Sequence, residues 1–313
     1  RKPNMAKYLV ILNPTADRGE AGKREALVRE LFEKYKLDYE LVLTEYIGHA
    51  MEITAKALEE QIPYIVAGGG DGTCNEIING MMLEKKATGR TAILGVLPIG
   101  RGDDFAFSMG VPTESLEESV AALAAGHTRK IDIGLATSDM YPQGRYFGNG
   151  VGIGFDAVVG FVAARNRYLR GFASYLWAAL KTILLYYNAP QVRIEMDDEV
   201  LTLPSLMIST MNGTRLGGTF FIAPESKQDD GLLNLCIVCQ VSRPHMLQLL
   251  TRFMKGDQYG DPAVLAKTTS KVVFTAEKGK LPAHMDGETI SLEGTQISIE
   301  LIPQQIDIIV KPL

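Results

Sequence analysis

The chain predicts an α/β N-terminal domain on a parallel sheet, followed by a mainly antiparallel β-sandwich. Three observations carry this. Apolar runs of strand length alternate with helical stretches over residues 1–130, and each crossover is long enough to return the chain for parallel pairing. From Lys130 onward short strand-like runs dominate. No linker or low-complexity stretch separates the two patterns, so the halves are expected to pack closely, with 131–303 forming the second domain and 304–313 returning to the first.

In order, Lys7–Asn13 is a buried strand ending at the turn-rich loop Asn13–Gly19. A charged amphipathic helix over Ala21–Tyr35 follows, with Ala26, Leu27, Leu31 and Phe32 as its apolar stripe. Tyr39–Thr44 is the second strand and His49–Glu60 the second helix. Tyr64–Ala67 is an apolar run leading into Gly68-Gly-Gly-Asp71-Gly-Thr73, with a helical pattern from Asn75. Ala92–Leu97 is a strand ending at Pro98–Phe105, and Leu116–Ala125 a helix. The second half reads as strands over Lys130–Gly134, Tyr146–Ile153, Gln191–Met196, Val200–Leu203, Leu206–Thr210, Leu232–Val241, Lys271–Ala276, Ile290–Leu292 and Gln296–Ile302, with Asp197-Asp198 as a hairpin turn.

Composition narrows the function. A net charge of −5 over 313 residues disfavours nucleic acid as a partner. Of three cysteines, Cys236 and Cys239 form a lone pair on a strand, where residues three apart face opposite ways; buried apolar packing in a reducing cytoplasm is expected. Arg1-Lys-Pro-Asn-Met5 shows no apolar leader, and the stretch Phe172–Tyr187, interrupted by Lys181, is too short to span a bilayer.

Chemistry concentrates where strands end. A strand, a glycine turn and a helix start offer outward N–H groups to an anion, and glycine permits its close approach. Asp71 inside that turn makes sense beside phosphates when a cation such as Mg²⁺ lies between them. In parallel sheets ligands bind beyond the carboxyl ends of the strands, where Asn13–Gly19, Gly68–Asn75, Pro98–Asp104 and Thr44 are expected to gather.

Gly69-Gly-Asp71-Gly-Thr73 with Asn75-Glu76 resembles the signature of the diacylglycerol kinase catalytic-domain family, more distantly related to NAD kinases and phosphofructokinases. Asn13-Pro14 resembles its first nucleotide loop, with Ala16-Asp17 where Ser-Gly is usual. Thr44 resembles its second-strand Thr, and Pro98-x-Gly100-x-Gly102-Asp103-Asp104-Phe105 its third loop, with Asp103 where Asn is usual. Phe147–Ala157, Asn212-Gly213, Gly217-Gly218, Ile222-Ala-Pro224, Asp229-Asp-Gly-Leu-Leu233 and Met285-Asp-Gly-Glu288 continue the resemblance in order.

The resemblance implies a nucleotide site of Asn13, Pro14, Thr15, Thr44, Gly69, Gly70, Asp71, Gly72, Thr73, Asn75, Gly100, Arg101 and Asp104, with ATP and Mg²⁺. Asp71 would reach Mg²⁺ through water; Asp104 would cap its helix or join the metal. Asp286 would be the base and Glu288 would orient the hydroxyl or hold Mg²⁺, both facing one side if the segment is extended, although Asp-Gly is also a hairpin-turn pair. A second metal would lie on Asp230 with the carbonyls of Lys227 and Leu232. Arg165, Arg167 and Arg170 precede an apolar helix on which Leu176, Leu180, Ile183, Leu184 and Tyr187 share a face, for an acyl chain, an anionic membrane or the sandwich itself.

The reading is thus a lipid kinase acting on diacylglycerol or a related lipid at a peripheral membrane surface, with a homodimer possible. An NAD-kinase-like enzyme and a non-catalytic nucleotide- or lipid-binding regulator stay open.

Overall fold

The computed structural model describes residues 7–165, 171–186 and 189–311. Two compact units emerge, one of 1–131 with 304–313 and one of 132–303.

In the first unit, strands β1 (Tyr8–Leu12), β2 (Tyr39–Leu43), β3 (Tyr64–Gly69) and β4 (Ile93–Pro98) pair in parallel in the order β2-β1-β3-β4. The end of β15 (Gln296–Ile309) adds beside β4 through Asp307 and Ile308, also in parallel. Helices α1 (Glu20–Lys23), α2 (Glu25–Lys34), α3 (His49–Glu59), α4 (Asp71–Thr88), α5 (Asp104–Ser108) and α6 (Leu116–Ala125) fill the crossovers. Helix α6 follows from its caps: Ser115 accepts the Glu118 N–H at 3.2 Å, and Gly126 closes it left-handed.

Two expectations change here. The helix expected over Ala21–Tyr35 is two, meeting at Arg24. Its buried stripe is Val28, Leu31 and Phe32, while Ala26 and Leu27 face water. Val28 and Leu31 lie one turn apart and contribute with Phe32 to a core that includes Tyr8, Val10 and Leu12 of β1.

The second unit contains β6 (Arg145–Phe147), β7 (Gly150–Gly154), β8 (Gln191–Met196), β9 (Val200–Met211), β10 (Leu233–Cys239), β11 (Val264–Thr269), β12 (Lys271–Lys278), β13 (Ala283–Met285) and β14 (Glu288–Ser291), most of β5 (Thr128–Thr137) and the first part of β15. Their pairings within the unit are antiparallel, as in β14-β13-β7-β9-β10-β11. Helices α7 (Phe155–Arg165), α8 (Gly171–Leu185) and α9 (Arg243–Lys255) complete it. The core joins Phe147, Val151, Ile208, Phe274 and Ile297.

Several strand boundaries differ from the sequence reading. Tyr146–Ile153 is not one strand: it breaks at Gly148-Asn149. The runs on either side of Pro204 are one strand, β9. Proline cannot donate to a ladder, and β9 changes partners around it, from β8 over 200–204 to β7 and β10 beyond. The two runs around Pro303 are likewise one strand, β15, with Gln304 at φ 50°.

The apolar helix is real, but its faces are not as expected. Helix α8 buries Ser174, Ala178, Ala179, Thr182 and Ile183, with Ala178 and Ala179 packed among Val159 and Ala163 of α7. Small side chains let the two helices approach, so the large ones turn outward: Trp177, Leu180, Leu184 and Leu185 are exposed, the last two at 69% and 71%. Leu180 and Leu184 therefore do not share the buried face of Ile183. Arg167, Arg170 and Tyr187 lie outside the described residues.

Cys236 is buried and Cys239 half-buried, with a register shift just before Cys239. Burial pushes the Cys236 thiol up to about 12, far from the reactive thiolate range.

Candidate active site

Because β2, β1, β3 and β4 are adjacent and parallel, the loops that follow them emerge along one edge. Backbone bonds tie them together. Thr44 N–H donates to the Leu12 carbonyl at 2.9 Å, Asn13 N–H to Gly68 at 2.8 Å and Ile99 N–H to Gly69 at 3.1 Å. Asn13 then organises its surroundings: Oδ1 accepts the Thr15 N–H and hydroxyl at 3.0 and 2.8 Å, while Nδ2 donates to Thr73 Oγ1 at 3.3 Å. The Pro14 carbonyl accepts the Gly22 N–H at 3.1 Å.

The glycines of the second and third loops touch. A Cβ on Gly100 would collide with Gly70 Cα. Asp71 Oδ1 accepts the Phe105 N–H at 2.8 Å, joining the central turn to α5. A Cβ on Gly102 would stand 3.0 Å from Asp104 Oδ2 and 3.4 Å from Asp71 Oδ2, so these two carboxylates border one glycine. Asp103 accepts the Gly100 N–H through both oxygens, at 2.9 and 3.2 Å. Its carboxylate serves as the loop's internal acceptor, a task an Asn side chain performs equally. Arg101 Nε lies 3.5 Å from Asp17 Oδ1.

Helix α4 begins at Asp71, four residues before the helical pattern expected from Asn75, so Asp71, Gly72 and Thr73 form its first turn. That places helix N–H groups at the glycine turn, as an anion site requires. Asn75 is fully buried, with its side-chain oxygen accepting from Asn79 Nδ2 at 3.1 Å. Glu76 accepts the N–H groups of Gly48 and Ala50 at 2.8 and 3.1 Å, capping α3 from a neighbouring helix.

In the second unit the Asp-Gly pair is a turn and not an extended segment. Met285 pairs with Glu288, and the two residues between them have φ of 46° and 86°, the signature of a type I′ hairpin. The Asp286 side chain does not point into water: the residue is 4% exposed. Its Oδ2 accepts the Gly148 N–H at 2.8 Å, and Oδ1 accepts the Asn149 and Gly150 N–H groups at 3.1 and 2.9 Å. Three consecutive backbone donors thus form a nest for one carboxylate. Glu288, at the start of β14, is held separately by Arg145, whose Nη2 lies 2.8 Å from Oε2 and whose guanidinium lies over the Tyr141 ring.

The turn near Asp230 is likewise built on carboxylates. Asp230 Oδ1 accepts the Leu232 N–H at 3.0 Å, and buried Asp132 accepts the Gly231 N–H at 2.7 Å. Asp230 and Lys227 are exposed. Among the described residues no cluster of three or more His, Cys, Asp or Glu side chains could hold a metal, so a cation here would rest on one carboxylate and backbone carbonyls.

Sequence reasoning passed over Arg145 and the donor roles of Gly148, Asn149 and Gly150. Arg145 lies 143 residues from its partner, and no local pattern marks such a pair. The Gly-Asn-Gly run was a usable signal, since a bend exposing successive N–H groups favours glycine.

Comparison with known proteins agrees with this architecture. Residues 7–136 match the diacylglycerol kinase catalytic domain, and residues 149–310 match the YegS C-terminal NAD kinase beta sandwich-like domain. A diacylglycerol kinase of Bacillus subtilis is 27% identical over 286 residues, 91% of this chain and 90% of that protein. A Chromohalobacter salexigens protein named "Probable lipid kinase YegS-like" is 34% identical over 244 residues, 77% of this chain and 74% of its own length. The crystal structure of a diacylglycerol kinase from Bacillus anthracis superposes with a TM-score of 0.72 at 20% identity, covering 99% of both chains, and that of an NAD kinase from Archaeoglobus fulgidus with 0.50 at 13%, covering 96% and 93%. These two likenesses concern the fold. With both halves matched in order, this chain belongs to the diacylglycerol kinase catalytic-domain family and carries that family's YegS-type C-terminal sandwich.

Proposed function

We propose that this protein is an ATP- and Mg²⁺-dependent lipid kinase that transfers the γ-phosphoryl group to a hydroxyl of diacylglycerol or a related lipid. The observation that carries the reading is the Asp286 carboxylate, buried yet held by three backbone N–H groups at a turn. A buried carboxylate is costly unless it is hydrogen-bonded. Here the bonding fixes its orientation, as a base that must meet one hydroxyl requires.

Phosphoryl transfer needs positioning and charge stabilisation more than covalent help. Thr15, Thr73, Arg101 and the glycine backbones would line the triphosphate. Asp71 and Asp104, whose Oδ2 atoms border Gly102, offer the hard oxygen donors that suit Mg²⁺; the ion, when bound, neutralises charge on the transferring phosphates. Asp286 accepts the hydroxyl proton as the lipid oxygen bonds to phosphorus and ADP leaves. Glu288, fixed by Arg145, orients that hydroxyl. A second cation at Asp230 would brace the turn that also carries Gly231.

Radiolabelled ATP with a panel of lipid hydroxyl acceptors tests the reading. Label should enter a phospholipid and disappear with EDTA. Label in NAD alone, or nucleotide binding with no phosphorylated lipid, would overturn it.

The acceptor lies in a bilayer, and among the described residues no helix is long and apolar enough to cross one. We assign membrane contact to the outer face of α8: Trp177, Leu180, Leu184 and Leu185, with the Lys181 ammonium over the Trp177 ring at 4.9 Å. Apolar groups with a flanking cation suit an anionic interface. Vesicles containing anionic phospholipid should carry the protein upward in flotation, and changing Arg165, Arg167 and Arg170 to Glu should reduce the bound fraction severalfold. Unchanged flotation would remove the basic cluster from the interface.

A further inference from the structure

A row of polar positions crosses the sandwich next to the Asp286 turn. His284 on β13, Gly152 on β7, Ser209 on β9 and Cys236 on β10 are successive cross-strand partners, so their side chains share one face. Over Gly152 sits Asp156, in the first turn of α7. A Cβ on Gly152 would collide with the Asp156 carboxylate and stand 2.5 Å from His284 Nε2. Glycine at that position is what lets the carboxylate and imidazole meet.

Asp156 Oδ2 accepts the Ser209 hydroxyl at 2.8 Å, and Oδ1 lies 3.4 Å from His284 Nε2. The imidazole is about nine-tenths buried. Its Nε2 makes no hydrogen bond of normal length, and a Cβ on Gly160, one turn along α7 from Asp156, would reach the ring at 3.8 Å. His284 is two residues from Asp286, whose negative charge it also feels. Buried beside two carboxylates, a protonated imidazole balances their charge.

Resting on the reading of Asp286 as base, we infer that His284 is a positioning residue: as an imidazolium it anchors Asp156 over the strand row and counters the charge of Asp286, giving the acceptor side of the site an upper pH bound. Burial opposes the cation, but the attraction of Asp156 and of the nearby Asp286 outweighs it and raises the His284 pKa above its ordinary value of 6.5. Ser209 does not titrate in this range, and the Cys236 thiol stays protonated, pushed up to about 12 mainly by burial and further by Asp156. When His284 loses its proton, Asp156 keeps the Ser209 hydroxyl and Asp286 its three backbone donors, but the cation's attraction to both carboxylates is gone.

The test uses the full chain, with His284→Gln and Asp156→Asn as variants. Imidazole NMR has four histidines to resolve. In the parent, His284 should titrate above 6.5, and in Asp156→Asn its midpoint should fall by a pH unit or more. With a phosphorylatable lipid, kcat should decline on the alkaline side with the midpoint read by NMR, and His284→Gln should flatten that limb while leaving KM for nucleotide within twofold. A His284 that titrates at or below 6.5, or a midpoint unmoved by Asp156→Asn, would overturn the pairing. An alkaline limb that persists in His284→Gln would overturn the positioning role. If the parent phosphorylates no lipid, the kinase reading fails, while the NMR midpoints still decide the His284–Asp156 pair by themselves.

Discussion

Asp286→Asn should abolish nearly all lipid phosphorylation while leaving a folded protein. The substitution keeps the shape of the side chain and removes its basicity. General-base catalysis contributes typically ~10²–10⁴-fold, so labelled product should fall by at least about a hundredfold at equal enzyme. The nest adds a second, separable effect. Asparagine can present its oxygen to the Asn149 and Gly150 N–H groups, but its NH₂ then faces the Gly148 N–H that Oδ2 now accepts. One buried donor is left without an acceptor, at a cost of about 1–3 kcal/mol. Melting should therefore drop by several degrees without loss of a cooperative transition, and nucleotide affinity, which draws on the first unit, should be unchanged. Equal labelling by parent and variant would remove Asp286 from the reaction.

The parallel half was legible because each buried strand is an unbroken apolar run, such as Tyr8–Leu12, followed by polar or glycine-rich residues. The sandwich was harder to divide. Pro204 and Pro303 look like strand ends, yet each sits where one strand continues after changing partners; the choice of partner is tertiary and leaves no local mark. Helix α9 escaped notice because its buried positions are only Met246, Leu249 and Phe253, but its signals were present: Ser242 as N-cap, Pro244 in the first turn and Gly256 closing it. On α8 the pattern of large apolar residues grouped Ile183 with Leu180 and Leu184, but the buried face is set by its alanines, which pack against α7.

The same division holds at the site. Loops that need glycine announce themselves, which is why Gly69–Thr73 and Gly100–Asp104 stood out. Asp286 was found through its motif, and of its two local geometries, extended or hairpin turn, the structure has the turn, with left-handed residues. What could not be read is what backbone and distant charge do: the three donors at Gly148–Gly150, the Arg145–Glu288 pair and the Asp156–His284 pair join segments far apart in sequence.

Stability offers a check on that last pair that needs no substrate. His284 has a raised pKa in the folded protein, so its contribution is complete below the unfolded value of about 6.5. It is lost progressively as pH rises through the folded value. The melting temperature of the parent should fall over that window, and His284→Gln should lose this component of the fall. An identical pH dependence in both proteins would refute the linkage.

Gly100→Ala should have the second largest effect on function, and for a purely steric reason. The new Cβ has no open direction: it meets Gly70 Cα on one side and Asp103 Oδ1, at 2.5 Å, on the other. A backbone atom cannot swing aside as a side-chain tip can, so the second and third loops must separate. Overpacking of this kind costs typically about 1–3 kcal/mol, which a protein of this size survives. Catalysis and binding are less forgiving, because a displacement of about 1 Å in a positioning loop can cost on the order of 10²-fold. Separation of the loops would move Asp71 relative to the Phe105 N–H that it now holds and shift its carboxylate away from Gly102 and Asp104. We therefore expect kcat/KM for ATP to fall about a hundredfold with a folded, destabilised protein. Gly72→Ala is the matched control: its Cβ meets nothing within 4 Å, and it lies in the first turn of α4, where alanine is favoured over glycine by roughly 0.5–1 kcal/mol. That variant should melt no lower than the parent, and any loss of nucleotide affinity in it reports the close approach of a phosphate to the helix start. If Gly100→Ala binds ATP as the parent does, the paired glycines are a packing detail and the nucleotide lies elsewhere.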